Sequence, residues 1–288
     1  MEESKNTEVL RFKKNVENVG FEIIRLSDFY SRIDENRQEP HIINFYAILF
    51  ITEGKGIHEI NFERYSYKEK SFLFINKGQY HKWVDYNSTK GYIIVFTEDF
   101  LESNQLKFKD LSYSFPYNSY LYKPYLELSS LVVNSFLNLV AFLYEEYKLP
   151  ESDEKNEILQ CLLRTFLLKI KSKEPLNKQY SNVTQKELFI RYQKMIDHRL
   201  NQSRNVNDYC QWLSVSYKKL NESCKTFTQK TAKNFLDSIL VLRAKQLLIE
   251  NKKSISEIAY SLSFEEPTNF AKFFKKYTNC TPKEFREV

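Results

Sequence analysis

The chain has 288 residues, 42% of them hydrophobic and 28% charged, a balance typical of a soluble globular protein with a substantial core. Its length predicts about two domains. It has no run of about 18 apolar residues, which argues against a transmembrane helix, and its first residues, MEESKNTEV, lack the basic and apolar regions of a signal peptide. We therefore expect a cytoplasmic protein without a membrane partner. The four cysteines form no CxxC pair and have no histidine cluster beside them, so reduced thiols fit better than a zinc site or a disulfide framework.

The N-terminal third predicts β-structure. From about Phe21 to Phe96, short β-branched and aromatic runs alternate with turn signals, and all five glycines lie within the first hundred residues. Several short strands at this spacing indicate a small antiparallel sandwich or barrel.

Two helical segments follow. One covers about Tyr125 to Tyr147, and the other, NEILQCLLRTFLLKIK, comes after a PESDE break. The second segment has a broad apolar stripe made of Ile158, Leu159, Leu162, Leu163, Phe166 and Ile170. Periodicity does not distinguish a stripe that packs against the β-domain from one that forms a dimer seam. The polar, proline-containing stretch that comes next is the best linker, so we predict domains at 1–172 and 184–288, joined by a linker at 173–183.

Positive charge is concentrated in the last third. Residues 184–288 contain 19 lysines and arginines against 11 aspartates and glutamates, a balance of +8, whereas the remainder has 24 against 26, a balance of −2. Such an asymmetry indicates a polyanionic partner for the C-terminal region.

The same region contains an internal repeat. Val206, Tyr209, Cys210 and Leu213 recur 49 residues later as Ile255, Ile258, Ala259 and Leu262, and beyond a break Leu220 and Cys224 recur 50 residues later as Phe270 and Phe274. Each copy predicts two short helices around a turn, and NFLDSILVLRAKQLLIE between the copies predicts a longer helix. Thr184 with Glu187, and Ser254 with Glu257, each fit a capping box that opens a helix. Two helix-turn-helix units at matched spacing, in a basic region, indicate a protein that binds the DNA major groove.

The stretch ISEIAYSLSFEEPTNFAKFFKKYTNCTPKEFR, Ile255 to Arg286, resembles the DNA-binding domain of the AraC/XylS family of bacterial transcription regulators, and the likeness extends back to about Thr184. More loosely, TEGKGIHEI and FINKGQYHKW resemble the cupin-like sensor domain of the same family. The resemblance implies an α+β protein of two domains. The first is an N-terminal antiparallel, cupin-like β-barrel with following helices, and the second is a seven-helix domain in which a linker helix joins two helix-turn-helix units.

The function implied by this resemblance is sequence-specific regulation of transcription, with activation the commoner mode. The implied partners are double-stranded DNA, RNA polymerase, a second copy of the chain in a homodimer and a small-molecule effector in the N-terminal domain, which otherwise serves only for dimerisation. No cofactor is implied.

DNA contacts are expected from the second helix of each unit. In the second unit the exposed face has Pro267, Thr268, Asn269, Lys272, Lys275 and Lys276. We expect the proline mainly to start the helix, Thr268 and Asn269 to bond bases or phosphates, Lys272 to contact a base where family members often have an arginine, and the last two lysines to hold phosphates.

In the first unit the matching residues are Lys218, Lys219, Asn221 and Glu222. Glu222 stands where the family commonly has a basic residue. Either it accepts a hydrogen bond from cytosine, or this unit binds DNA less closely. We expect Trp212 to be partly buried.

The alternative function is a metal-dependent cupin enzyme fused to a nucleic-acid-binding module, since metal-dependent cupins carry a His-x-His pair, a glutamate and a later histidine. Here Glu59 and Ile60 follow His58, so the set is incomplete although His81 matches the later position. We expect both histidines at the surface or in a pocket, with no metal ligands and no catalytic residues.

Two departures from the family pattern concern turns. Ser263 and Asn279 stand where the family usually has glycine, and Ser214 is the equivalent of Ser263 in the first unit. Asparagine suits a left-handed helix end. For Ser263 we expect a turn that keeps a negative φ.

Overall fold

The computed structural model describes residues 8–10, 20–31, 40–86, 89–102, 110–175 and 183–287. They fall into two compact units that divide between Glu174 and Pro175. The predicted linker at 173–183 lies mostly outside the described residues. No helix of the described part of the chain is long and apolar enough to cross a membrane.

The N-terminal unit contains ten strands and four α-helices among its described residues. The strands are β1 (Glu8–Leu10), β2 (Phe21–Arg25), β3 (His41–Ile43), β4 (Tyr46–Glu53), β5 (Lys55–Ile60), β6 (Glu63–Lys68), β7 (Ser71–Ile75), β8 (Tyr80–Asp85), β9 (Lys90–Phe96) and β10 (Tyr125–Glu127). The helices are α1 (Leu26–Ser31), α2 (Glu98–Glu102), α3 (Ser130–Lys148) and α4 (Lys155–Lys171), with a 3-10 turn at Leu111–Tyr113.

The strands form two five-stranded sheets, in the orders β1-β3-β8-β5-β6 and β10-β7-β4-β9-β2. All pairs are antiparallel except β1 with β3. The fold class is as predicted, but the described strands form two separate sheets and do not close into the expected barrel. Aliphatic side chains from both sheets, such as Ile60 and Leu73, fill the space between them and make the core.

The second sheet is buried on its other face as well, because α3 and α4 cover it. The ring of Phe72 on β7 lies 5.2 Å from Phe136 of α3 and 5.6 Å from Phe166 of α4. The buried residues of the predicted α4 stripe therefore pack in the core, as in the first of the two alternatives, whereas Ile158 of the same stripe is 37% exposed. The helical segment expected from Tyr125 begins instead with strand β10, and the helix starts at Ser130.

The C-terminal unit is all-α. Its seven described helices are α5 (Val183–Arg199), α6 (Val206–Leu213), α7 (Tyr217–Thr228), α8 (Ala232–Glu250), α9 (Ile255–Ser261), α10 (Pro267–Thr278) and α11 (Pro282–Arg286). The long α8 is central, and its buried Phe235, Leu236, Leu240 and Leu248 pack between the two helix pairs α6–α7 and α9–α10. Both predicted helix-turn-helix units and the joining helix are confirmed.

Capping boxes open two helices of the C-terminal unit. The predicted capping box of Ser254 and Glu257 opens α9, with both reciprocal bonds present. The box predicted at Thr184 is wrong in position, because α5 already begins at Val183 and Thr184 lies within its first turn. A capping box that was not predicted from the sequence, Thr281 with Glu284, opens α11.

Candidate nucleic-acid interface

The first helix-turn-helix unit is held by aromatic and polar contacts to α5 and α8. Phe189 of α5 lies 5.4 Å from Phe227 of α7 and 5.0 Å from Phe235 of α8. Tyr192 of the same helix donates a buried hydrogen bond to the carbonyl of Ala232 at 3.1 Å. Because α7 is anchored from its inner side, its outer side is left free for a ligand.

Trp212 on α6 is half-buried, as expected. Its ring is covered by the guanidinium of Arg199 at 4.6 Å and contacts Tyr209 edge-on at 5.0 Å. These contacts give the tryptophan a packing role in the first unit.

In each helix-turn-helix unit, a serine in the turn adopts the left-handed backbone conformation, with φ of 54° at Ser214 and 60° at Ser263. The expectation of a negative φ at Ser263 is therefore wrong. The cause is a tight helix end: Val215 donates its N–H to the carbonyl of Cys210 at 3.0 Å, five residues back, and the second turn repeats this bond. That closure needs a left-handed residue between the helices. Asn279, with φ of 64°, ends α10 in the left-handed region as expected.

Helix α10 presents one apolar and one polar face. Phe270 and Phe274 are buried, and Phe264 in the preceding turn lies 5.3 Å from Phe270. Pro267 occupies the start of the helix, where its missing N–H is tolerated. The other predicted contact residues of this helix, Thr268, Asn269, Lys272, Lys275 and Lys276, are all exposed. The structure thus gathers them on a single solvent-facing side with three positive charges.

Helix α7 is less uniform. Lys218, Lys219 and Glu222 are exposed at its surface. Asn221 is half-buried, and its Oδ1 accepts a hydrogen bond from the N–H of Ala232 at 3.0 Å, so this side chain caps the start of α8. Tyr217, the first residue of α7, is 46% exposed beside the lysines. Tyr217 was not among the residues predicted from sequence to contact DNA, although its position matches Pro267 at the repeat offset of 50.

The histidines of the N-terminal unit are buried, which corrects the surface placement considered from sequence. Nε2 of His58 lies 3.2 Å from Nδ1 of His81, and the rings stack with centroids 5.3 Å apart. His41 is the strand partner of His81. Burial lowers the pKa of His58 well below 6.5, with a smaller effect from His81, and lowers the pKa of His81 to about 3, with a smaller effect from His41. Within the described residues, no group of three or more His, Cys, Asp or Glu side chains is placed to hold a metal ion.

Two helix-turn-helix units on a central helix, following a domain of two facing sheets, define a DNA-binding protein with a separate N-terminal domain. Comparison with known families agrees: residues 209–287 match a helix-turn-helix domain, and residues 29–163 match the AraC-like ligand binding domain. The chain belongs to the AraC family and is a DNA-binding transcription regulator.

Two relatives match this chain over most of its length. The chain is 23% identical over 246 residues to the HTH-type transcriptional activator RhaR of Mannheimia succiniciproducens, covering 85% of this chain and 86% of that protein. It is also 23% identical over 255 residues to the activator RhaS of an Escherichia coli O139:H28 strain, covering 86% and 87%. The crystal structure of unsaturated fatty acid bound wild-type ToxT from Vibrio cholerae strain SCE256 is 16% identical in sequence. The match covers 96% of this chain and 97% of that chain, with a TM-score of 0.46.

Proposed function

We propose that the chain recognises a specific duplex sequence by placing α7 and α10 in the major groove, and that it activates transcription from that site through contact with RNA polymerase. The observation that carries this proposal is the paired geometry. Two helix pairs pack on the same helix, α8, and the second helix of each pair presents exposed lysines, Lys218 and Lys219 on α7 and Lys272 on α10.

The position of each residue along its helix determines whether it contacts a base or a phosphate. Residues in the first two turns of α10, Thr268, Asn269 and Lys272, are close enough to the helix start to reach base edges. Lys275 and Lys276 lie in the last turn, where a long flexible ammonium side chain reaches phosphates and adds affinity without sequence preference. Glu222 opposes phosphate binding, so α7 contributes fewer phosphate contacts than α10.

The test is selection of duplexes from a random library by the full chain. We expect enrichment of a site with two contacted segments about one helical turn apart. No enriched sequence, or an enriched site with a single contacted segment, would refute the proposal.

For the N-terminal unit we propose a small-molecule effector site at a cluster of aromatic rings. Tyr30 of α1 lies 5.7 Å from Trp83 and 4.8 Å from Tyr86, and its hydroxyl bonds Oγ1 of Thr89 at 2.5 Å. Rings with a few polar groups among them are the usual lining of a metabolite pocket. A thermal-shift screen tests this proposal, with Trp83→Leu as the variant that should lose the stabilisation; if no metabolite stabilises the wild type, the unit serves only for dimerisation.

We further propose a cytoplasmic homodimer whose seam is the outer face of α4. Ile158 (37% exposed), Cys161, Thr165 and Leu168 (47% exposed) are spaced by three and four residues along this face, as in a helix-pairing seam. Sedimentation of Leu168→Glu should give a monomer. Leu131→Glu, at a 95% exposed position on α3, is the matched control and should leave the dimer intact.

The domain limits proposed for these activities remain 1–172 and 184–288, and we propose no catalytic role. Bound iron, zinc or manganese in stoichiometric amount in the purified chain would instead favour a metal-dependent enzyme.

A further inference from the structure

A set of side chains links the loop between α5 and α6, which leads into the first helix-turn-helix unit, to the turn of the second unit. Arg204, in the loop before α6, donates from Nε to the carbonyl of Ser263 at 2.8 Å, and its guanidinium carbon lies 3.7 Å from the ring centroid of Phe264. In return, Oγ of Ser263 donates to the carbonyl of Leu200 at 3.2 Å. These bonds join residues 59 and 63 positions apart and connect the loop between α5 and α6 to the turn between α9 and α10.

A second layer ties the same loop to α8 and α10. Lys233 of α8 donates to the carbonyl of Arg204 at 3.3 Å and to the carboxylate of Asp237 at 2.7 Å. The buried Asp237 also accepts from the hydroxyl of Tyr277 on α10 at 2.9 Å. The loop, the joining helix and the second recognition helix are thus linked by charged hydrogen bonds, which are stronger than neutral ones.

We propose that Arg204, through its contacts with Ser263 and Phe264, is a positioning residue that fixes the distance and rotation between α7 and α10 and so sets the spacing of the two DNA segments that the chain accepts. This inference rests on the proposed function. Apolar packing on α8 is non-directional and holds each pair in place without fixing its angle sharply, whereas a guanidinium held at once by a carbonyl and a ring favours one orientation. Inserting one base pair moves a DNA segment by about 3.4 Å and about 35°, a change that a fixed pair does not follow.

Arg191 provides a matched control. Its Nη2 donates to the carbonyl of Leu213 at 3.1 Å, at the turn of the first unit, but this bond joins α5 to α6 and does not reach the second unit. Arg191→Ala therefore removes an arginine–carbonyl hydrogen bond but leaves the contacts with the second helix-turn-helix unit intact.

The experiment measures binding of the full chain to its library-selected duplex and to versions with one base pair inserted or deleted between the contacted segments. We expect the wild type and Arg191→Ala to lose about tenfold or more in affinity on either change, and Arg204→Ala to lose about threefold or less. Arg204→Lys keeps the charge without the planar fork and should fall between them. Circular dichroism verifies that each variant folds, and Ser263→Ala, which removes only the bond to Leu200, gives a milder second perturbation in the same direction.

The outcomes separate the two proposals. A wild type that selects no sequence refutes the proposed function itself. A wild type that selects a site, with Arg204→Ala and Ser263→Ala both showing the same spacing profile as the wild type, overturns the positioning role alone.

Discussion

Substituting glycine for the two left-handed serines should have unequal effects on the free energy of unfolding. A residue other than glycine at positive φ costs about 1–2 kcal/mol, and the extra freedom of glycine in the unfolded chain costs about 0.4–1 kcal/mol in return. The exposed Ser214 side chain has no hydrogen-bond partner within the described residues. Ser214→Gly should therefore stabilise the helical unit by about 0.5–1 kcal/mol.

Ser263→Gly relieves the same strain but also removes the hydrogen bond to the carbonyl of Leu200. A bond of this kind contributes about 0.5–1.5 kcal/mol, so the two effects nearly cancel and the stability should stay close to that of the wild type. Alanine variants separate the effects, because alanine keeps the backbone strain. Ser214→Ala should be neutral, and Ser263→Ala should destabilise the unit by about 1 kcal/mol.

Urea unfolding followed by tryptophan fluorescence measures these differences. The chain has two tryptophans, Trp83 in the N-terminal unit and Trp212 in the helical unit. In a Trp83→Phe background the emission reports only on α6, whose end is the Ser214 turn. The gain of glycine over alanine should be the same at both serines. A Ser214→Gly variant less stable than the wild type, or a Ser263→Ala variant as stable as the wild type, would refute the reasoning.

Three further predictions concern sequence preference, the salt dependence of DNA binding and the pH dependence of stability. Lys272→Ala should lower the preference for the selected over a random duplex about tenfold or more in competition binding, whereas Lys276→Ala should weaken both alike; equal behaviour of the two variants would contradict the assigned roles. Affinity for duplex should fall steeply with salt in titrations, and Lys276→Ala should reduce the log–log slope by about 1; a flat response excludes phosphate contacts. The N-terminal unit should lose stability as the pH falls from 6.5 towards about 3, because the lowered pKa values of His58 and His81 mean that the unfolded chain binds protons first. In Trp212→Phe, urea midpoints at pH 7 and pH 5 should differ more than in Trp212→Phe with His81→Gln, and equal differences would argue against the histidines.

The features predicted from sequence are those that local patterns specify. The repeat at offsets of 49 and 50 located both helix-turn-helix units, because the apolar residues that form each buried face lie close together in the sequence. The same reasoning placed Trp212 and the exposed lysines correctly. It also predicted the left-handed Asn279, since few residues other than glycine and asparagine tolerate that conformation.

The features that were missed depend on the register and closure of distant segments. Strand pairing of β5 with β8 brings His58 next to His81, and nothing in either strand alone indicates it. The sign of φ at Ser263 follows from a hydrogen bond that spans the turn, while the residue type favours the opposite conformation. Sheet closure likewise depends on how the outer strands pair, so a sandwich and a barrel have the same alternating pattern.

The two recognition helices differ in charge, and the contacts of Arg204 determine how that difference affects DNA binding. Helix α10 has three lysines and no acidic residue, whereas α7 has three lysines and Glu222. If the pairs moved independently, α7 would settle wherever Glu222 is farthest from phosphate. With α10 attracted to the backbone and Arg204 fixing the angle between the pairs, Glu222 is instead brought towards the duplex in a set register. There its carboxylate is repelled by phosphates and accepts a hydrogen bond only from a base that offers a donor, such as the amino group of cytosine. In our proposal the acidic residue therefore lowers affinity for random DNA more than for the cognate site, and it does so only while the two units are fastened together.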